Sequence, residues 1–305
     1  MTARAACPVC GGQASSELYS RPYSSAPISD FLTAFYGRQG RADLDVLRGT
    51  SFVLKQCQEC DLIYQSAIPD ETLTHTLYEE WIDPVRARPL DLAEEDPLGD
   101  AVEIANLISY LRESRSGRTL RVLDFGSGWA TWTYLAKLFG CEVFGSEISE
   151  ARIDYTRRLG LPVLSWSEIG RERFDLINAE QVFEHLANPT AVLAYLASAL
   201  APNGVLKIGV PDGRSVIRNL GREDWLAEKT SAFSLNAVSP LEHLNCFVGR
   251  SLLTMATLCG LARVNPPPGV AVVGYSSPLR LGRDLMRPAY RRLWPLSYRA
   301  VLRLV

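Results

Sequence analysis

The stretch Val122-Leu123-Asp124-Phe125-Gly126-Ser127-Gly128-Trp129-Ala130 decides the fold of this 305-residue chain. Its first half is an apolar run interrupted by one acid, which predicts a buried parallel strand. Gly126 and Gly128 predict a turn in which no Cβ keeps a ligand from the backbone. Apolar residues then recur at helical spacing over residues 131–139, and Gly140 predicts the end of that helix. The stretch therefore predicts a strand, a glycine turn and a helix whose amino terminus faces a ligand.

A second predicted strand, residues 142–147, ends in the carboxylate of Glu147. This acid follows Gly128 at about the distance at which a carboxylate reaches a nucleoside ribose in a βαβ unit. A dinucleotide site needs a third glycine, and Thr131 stands in its place. The Asp-x-Gly-x-Gly pattern that begins at Asp124 resembles the glycine motif of class I S-adenosylmethionine-dependent methyltransferases. A dehydrogenase site and an empty structural turn are the alternatives for this stretch.

The resemblance implies the roles of several residues near the motif. In that family the first acid, here Asp124, lies near the methionine part of the cofactor, and the acid that ends the second strand, here Glu147, binds the ribose. Ile148 is expected beside the adenine, where apolar packing suits a purine face. Glu180 follows the predicted strand 174–179, and polar residues at that sheet edge face the cofactor or the substrate.

Further strands are predicted at residues 162–164, 205–210 and 270–275, with helices between most of them. The alternation of strands and helices predicts an α/β fold, a Rossmann-like seven-stranded methyltransferase sheet. The text Leu200-Ala201-Pro202-Asn203-Gly204 is also similar to a turn common in that family.

The composition is that of an ordinary globular protein, with 47% hydrophobic and 22% charged residues. A net charge of −2 gives no reason to expect nucleic acid as a partner. The first ten residues lack the hydrophobic core of a signal peptide, so we expect a cytoplasmic protein with reduced cysteines.

Two Cys-x-x-Cys knuckles, Cys7 with Cys10 and Cys57 with Cys60, precede the glycine motif. Each knuckle presents two thiolates from one tight turn, and two such turns can close a tetrahedral Zn2+ site. With four protein ligands the metal would stabilise the fold rather than perform chemistry. Redox-active or empty thiols are the alternative.

A knuckle followed by a strand, a proline and a tyrosine-rich helix resembles the amino-terminal region of zinc-containing methyltransferases, which include sugar C-methyltransferases and their O-methyltransferase relatives. We expect a small zinc-binding module at residues 1–82 and a proline-containing linker at 83–99. The methyltransferase domain is predicted at 100–278, and a basic amphipathic tail at 279–305.

Two of the three histidines fall where the acceptor is expected. His185 follows the fourth strand, and His243 follows the fifth. An acceptor hydroxyl or carbon must lose a proton, and a histidine has a suitable pKa. The pair Glu242-His243 matches a Glu-His pair that the resemblance implies in deprotonation, and His185 matches a second histidine of that site. The alternative for His185 is a residue that caps a loop at a helix start.

The sequence thus predicts an S-adenosylmethionine-dependent methyltransferase that acts on a hydroxyl of a sugar, a glycan or a natural product. C-methylation of a nucleotide-linked keto-sugar is the first alternative, although the additional carboxyl-terminal domain of those enzymes is missing. An NAD(P)-dependent oxidoreductase and a non-catalytic zinc-containing module are more distant alternatives. The arginine-rich tail predicts either docking, on the chain's own body or on a second subunit, or peripheral contact with an anionic membrane at its inner face.

Overall fold

The computed structural model of the protein describes residues 1–39, 42–94, 96–113, 117–265 and 297–305. The strands in these ranges are β1 (Thr2–Ala3), β2 (Ser15–Pro22), β3 (Ser51–Cys57), β4 (Ile63–Gln65), β5 (Ala67–Ile68), β6 (Arg121–Phe125), β7 (Glu142–Ser146), β8 (Phe174–Glu180), β9 (Leu200–Pro211), β10 (Asn245–Cys246), β11 (Leu261–Val264) and β12 (Ser297–Leu304). The α-helices there are α1 (Ile28–Gln39), α2 (Glu71–Thr76), α3 (Pro84–Glu94), α4 (Pro97–Glu113), α5 (Thr131–Leu138), α6 (Glu150–Arg158), α7 (Trp166–Ile169), α8 (Pro189–Ser198), α9 (Val216–Leu220) and α10 (Gly249–Leu258). Single turns of 3₁₀ or π helix cover Leu44–Leu47, Leu77–Trp81, Phe183–His185, Gly213–Ser215 and Asn236–Val238. None of the described helices is both long and apolar enough to span a bilayer.

Six of these strands form the main sheet, in the order β11-β12-β9-β8-β6-β7. The four strands β9, β8, β6 and β7 are parallel, whereas β12 runs antiparallel to both of its neighbours. The predicted Rossmann-like α/β sheet is confirmed. Of the further strand predicted at residues 162–164, only a parallel bridge between Val163 and Gly145 is found beside β7. The strand predicted at residues 270–275 lies outside the described residues.

A second sheet belongs to the amino-terminal module and has the order β10-β4-β3-β2. The edge strand β10 comes from the catalytic part of the chain. Its residues Asn245 and Cys246 pair with Tyr64 and Ile63 of β4. Arg4 adds a further link, since its guanidinium donates to the carbonyl oxygen of Leu244 at 3.0 Å. The division into residues 1–82 and 100–278 remains an interpretation of the sequence, and hydrogen bonds cross it.

The segment predicted as a linker, residues 83–99, is largely helical. It contains α3 and the first residues of α4. Asp83 precedes α3, and its carboxylate accepts from the backbone N–H groups of Val85 and Arg86. Pro84 is compatible with the first turn because its missing N–H would have no partner there. Of the three prolines in this segment, Pro84 and Pro97 begin helices, and Pro89 lies inside α3.

The last residues of the chain also differ from their prediction. Residues 297–304, expected in a basic amphipathic helix, form β12 within the main sheet. Ala300 and Leu302 are buried while Arg299 is exposed, which is the period-2 alternation of a strand. Residues 279–296, on which the predicted docking or membrane contact depends, lie outside the described residues.

Candidate active site

The glycine turn connects β6 to α5 and leaves space beside its backbone. Gly126 and Gly128 have φ of +75° and +55°, conformations that side chains rarely adopt. A Cβ on Gly128 would meet no heavy atom within 4 Å, whereas one on Gly126 would lie 2.4 Å from Cγ2 of Val182. Gly126 is therefore fixed by packing within the protein, and Gly128 borders open space in which a ligand fits.

Glu147 lies directly after β7 and holds the turn from the side. Its Oε2 accepts from the backbone N–H of Gly128 at 2.9 Å. Its Oε1 accepts from the N–H groups of Ile148 at 2.7 Å and Ser149 at 3.1 Å. The Ile148 side chain is 78% exposed beside it. An oriented carboxylate, an open glycine backbone and an exposed apolar face together fit a nucleoside.

Asp124 is buried beneath the turn and its carboxylate is engaged within the protein. One oxygen accepts from Thr133 Oγ1 at 2.6 Å and the other from Asn178 Nδ2 at 2.7 Å. Burial raises the pKa of Asp124, while these two hydrogen bonds act in the opposite direction. Asp124 thereby links β6, α5 and β8, and its contact with the methionine part of the cofactor remains a prediction.

Glu180 takes part in a partly buried ion-pair cluster at the end of β8. Its carboxylate lies 2.5 Å from Lys207 Nζ and 3.0 Å from Arg299 Nη2, and Glu103 pairs with both cations. Burial alone would raise the pKa of Glu180, but the charges of Lys207 and Arg299 outweigh it and lower the pKa. The carboxylate is thus committed to two cations, and contact with the cofactor remains a prediction.

His185 and His243 come together, as the sequence predicts for residues of one site. Their ring centroids are 4.8 Å apart and the rings are nearly perpendicular. Nδ1 of His185 lies 3.1 Å from the carbonyl oxygen of Glu242, and Nδ1 of His243 lies 2.5 Å from that of Asn236. A carbonyl oxygen only accepts, so each Nδ1 carries the proton and each Nε2 presents a lone pair.

Burial is the main influence on the pKa values of His185, His243 and Glu184. It lowers the pKa of His185 to about 4, and burial together with the neighbouring His185 lowers the pKa of His243 well below its ordinary value. Burial also raises the pKa of Glu184 to about 8. Both imidazoles are therefore neutral near neutral pH, the state in which a histidine accepts a proton.

His185, whose ring contacts that of His243, lines a cavity of about 160 Å³. Its walls are mainly apolar and come from both the amino-terminal module and the catalytic part of the chain. The lining residues are Ile68, Pro69, Thr74, Leu77, Tyr78, His185, Leu186, Ala187, Leu241 and Leu244.

Buried amides hold both sides of this site in place. Gln65 of the amino-terminal sheet donates from Nε2 to the carbonyl oxygen of His243 at 3.1 Å. Asn245 donates from Nδ2 to the carbonyl oxygen of Leu186 at 2.7 Å. The module therefore helps to fix the backbone beside the two histidines.

Comparison with known proteins identifies the family. A sequence model described as a methyltransferase domain matches residues 86–264, more than half of the chain. The chain belongs to this methyltransferase family. This membership agrees with the methyl transfer that the glycine motif predicts.

The methyltransferase is 27% identical over 136 residues to the ubiquinone biosynthesis O-methyltransferase of Pasteurella multocida (strain Pm70). The alignment covers 36% of this chain and 56% of that protein, so the chain spans about half the length of this curated relative. The plantazolicin methyltransferase BpumL in complex with SAH has a TM-score of 0.50 at 14% identity, covering 76% of this chain and 93% of that one. Its complex with a pentazolic desmethylPZN analog and SAH has a TM-score of 0.51 at 15% identity, covering 75% and 93%. These structures show a common fold.

The four cysteines of the two knuckles also meet. Their Sγ atoms all lie within 4.8 Å of one another, with 3.6 Å between Cys7 and Cys60 and 3.5 Å between Cys10 and Cys57. Tetrahedral zinc with Zn–S bonds of about 2.3 Å separates its sulfur ligands by about 3.8 Å. The donor set of the methyltransferase therefore fits Zn2+.

Several site residues were not predicted from the sequence. Glu184 is buried beside His185, and the repeated Glu-His pair at residues 184–185 and 242–243 is the signal that could have identified it. Arg88 of α3 lies over the rings of Trp129 and Tyr155, at 4.9 Å and 4.3 Å from their centroids. The helix predicted as linker thus packs over the glycine turn, a contact that no local pattern indicates.

Proposed function

We propose that this methyltransferase transfers a methyl group to a hydroxyl oxygen of a sugar, a glycan or a natural product. The observation that carries the proposal is the contact between two neutral histidines, His185, which is partly buried and lines the cavity, and His243, which is buried behind it. A hydroxyl that enters the cavity meets a group able to take its proton, close to the carboxyl edge of the parallel strands where α/β sheets bind ligands.

The cofactor side is assigned to Gly126, Gly128, Glu147 and Ile148, with Asp124 and Glu180 as further predicted contacts. When bound, S-adenosylmethionine supplies an electrophilic methyl group, so that an acceptor oxygen gains the methyl, S-adenosylhomocysteine leaves and one proton is released. Glu147 offers its carboxylate to the ribose hydroxyls while backbone N–H groups fix its position. Ile148 offers an apolar face to the adenine.

The acceptor side is assigned to His185, Glu242 and His243, one of which takes the proton. The apolar walls exclude water from the reacting oxygen and hold it in line. Tyr78 lies among these walls, and burial followed by the charges of Glu242 and Glu184 raises its pKa, so its hydroxyl stays protonated and available as a hydrogen-bond donor.

The name of the aligned relative, an O-methyltransferase, supports oxygen as the methyl acceptor. C-methylation of a nucleotide-linked keto-sugar is the second candidate, because the Glu-His pair resembles the one implied for such enzymes. Family membership favours methyl transfer over an NAD(P)-dependent oxidoreductase or a non-catalytic zinc-containing module. Cytoplasmic location, a homodimer and membrane contact remain predictions from the sequence.

We also propose that Cys7, Cys10, Cys57 and Cys60 hold a structural Zn2+. Four thiolates close the coordination sphere, so the ion would stabilise the module. The module contributes Gln65 and part of the cavity wall, and zinc would thus support the acceptor site indirectly.

The proposal is tested with S-adenosylmethionine carrying a deuterated methyl group and a panel of nucleotide sugars, glycans and hydroxylated natural products. Fragmentation mass spectrometry locates the label. We expect it on oxygen with the wild type and with His75→Ala, which alters an exposed histidine, and much less of it with His243→Ala. Label on carbon would favour the keto-sugar alternative, and label on nitrogen would overturn both.

A further inference from the structure

Three groups that bind metals meet beside the cavity, apart from the cysteine cluster. One carboxylate oxygen of Glu184 and one nitrogen each of His185 and His243 lie within 4.8 Å of one another. Donors about 2.0–2.2 Å from a tetrahedral zinc ion lie about 3.3–3.6 Å apart, so a pair at the 4.8 Å limit would approach by about 1.2–1.5 Å on binding.

The histidines are oriented as metal ligands are. A ligating imidazole almost always donates its other N–H to a carbonyl or a carboxylate, which fixes the ring and its tautomer. His185 and His243 both do so, toward the carbonyl oxygens of Glu242 and Asn236. Their Nε2 lone pairs remain for an ion.

The third metal-binding group is the carboxyl group of Glu184, which lacks a hydrogen-bond donor in the described residues. Glu184 is fully buried, and neither of its oxygens accepts a hydrogen bond from the described part of the chain. Oε1 of Glu184 lies 3.9 Å from Nε2 of His185. A buried carboxylate without a partner is costly, and a cation at this point would remove the cost.

We propose that Glu184, His185 and His243 bind one divalent transition-metal ion. Two imidazoles and one carboxylate suit Zn2+, Mn2+ or Fe2+, whereas Mg2+ and Ca2+ prefer oxygen ligands throughout. Three protein ligands leave an open coordination position, unlike the closed set of four cysteines. Because His185 lines the cavity, that position is accessible to an acceptor.

The role of the ion rests on the proposed function, while its binding does not. A divalent ion lowers the pKa of a hydroxyl that reaches it, which favours loss of the proton before methyl transfer. When both histidines bind the ion, Glu242, the third residue assigned to the acceptor side in the proposed function, takes this proton in their place. Glu242 directly follows Leu241, which lines the cavity.

Metal stoichiometry tests the proposal without an acceptor. The full-length wild type and three variants are saturated with Zn2+ and freed of unbound metal by gel filtration. The number of zinc ions per chain is then measured by elemental mass spectrometry. His243→Ala and Glu184→Gln remove ligands, and His75→Ala is the matched control because His75 is the third histidine and is exposed. We expect His243→Ala and Glu184→Gln each to bind one ion fewer per chain than the wild type, and His75→Ala to bind the same number. Circular dichroism verifies folding.

Cobalt spectroscopy of the wild type provides a second measurement that needs no variant. We expect Co2+ at the cysteines to give intense thiolate charge-transfer absorption, and a further equivalent to give ligand-field bands without it. Equal metal content in all four proteins, or a loss in His75→Ala as well, would overturn the site. A confirmed second ion without methylation of any hydroxyl would refute the proposed function and leave the metal site standing.

Discussion

Replacing Glu147 with glutamine should weaken binding of S-adenosylhomocysteine while leaving the fold intact. The carboxylate accepts at both ends, from Gly128 on one side and from Ile148 and Ser149 on the other. A glutamine amide has one accepting end, so its NH₂ group must face backbone N–H donors on one of these sides.

The magnitude follows from the bonds that are lost. A hydrogen bond to a charged group contributes about 1.5–3 kcal/mol, and the proposed contact with the ribose weakens as well. We expect a loss of about 2–4 kcal/mol in binding free energy, which is roughly a 30-fold to 1,000-fold increase in Kd. The loss of binding free energy should be at least as large in Glu147→Ala.

Isothermal titration calorimetry with S-adenosylhomocysteine measures the effect. Glu150→Ala is the control, because Glu150 is an exposed acid in the first turn of α6, close to Glu147 along the chain. Thermal melts check that each variant is folded. Equal affinity of the wild type and Glu147→Gln would refute the assignment of the ribose to this carboxylate.

Four further predictions concern the metal, the turn, the sheet and the acceptor site. Cys57→Ser should release zinc and lower the melting temperature, because structural zinc contributes on the order of 10 kcal/mol to folding; wild type purified without zinc would contradict this. Gly126→Ala should lower the free energy of unfolding, measured with denaturant, by roughly 1–3 kcal/mol, because the φ of Gly126 is +75° and a Cβ there would lie 2.4 Å from Val182. Deletion of residues 297–305 should abolish cooperative melting because β12 pairs with two strands, and a soluble, cooperatively melting product would disprove that. His243→Ala should lower kcat with little change in cofactor affinity, and an unchanged kcat would exclude this histidine from the chemistry.

The parts of the fold that were predictable have local signals. The apolar run before Gly126 and the glycines after it predict β6 and its turn from neighbouring residues alone. The knuckle spacing likewise predicts that four thiols meet, because each pair is held in one turn. The approach of His185 and His243 followed from the rule that the carboxyl ends of parallel strands share one edge.

The rest depends on contacts between distant residues. β12 belongs to the tail that was predicted to be basic and amphipathic, and its position in the main sheet brings Arg299 to Glu180 and Arg303 to Tyr110. β10 is two residues long and exists because β4 offers an edge. β10 is too short to show a pattern, and the period-2 alternation of β12 does not identify β9 and β11 as its partners.

The place of β12 has a consequence for the synthesis of the protein. β9 and β11 leave the ribosome before residues 297–304, and in the finished sheet β12 separates them. Until that segment emerges, the β12-facing edge of β9 carries backbone N–H and C=O groups without their final partner. Such an edge can pair with another chain. A truncated or stalled chain would therefore expose an unpaired edge of β9 that can pair with a strand of another chain. The tendency of the nascent protein to aggregate would depend on how quickly residues 297–304 are synthesised.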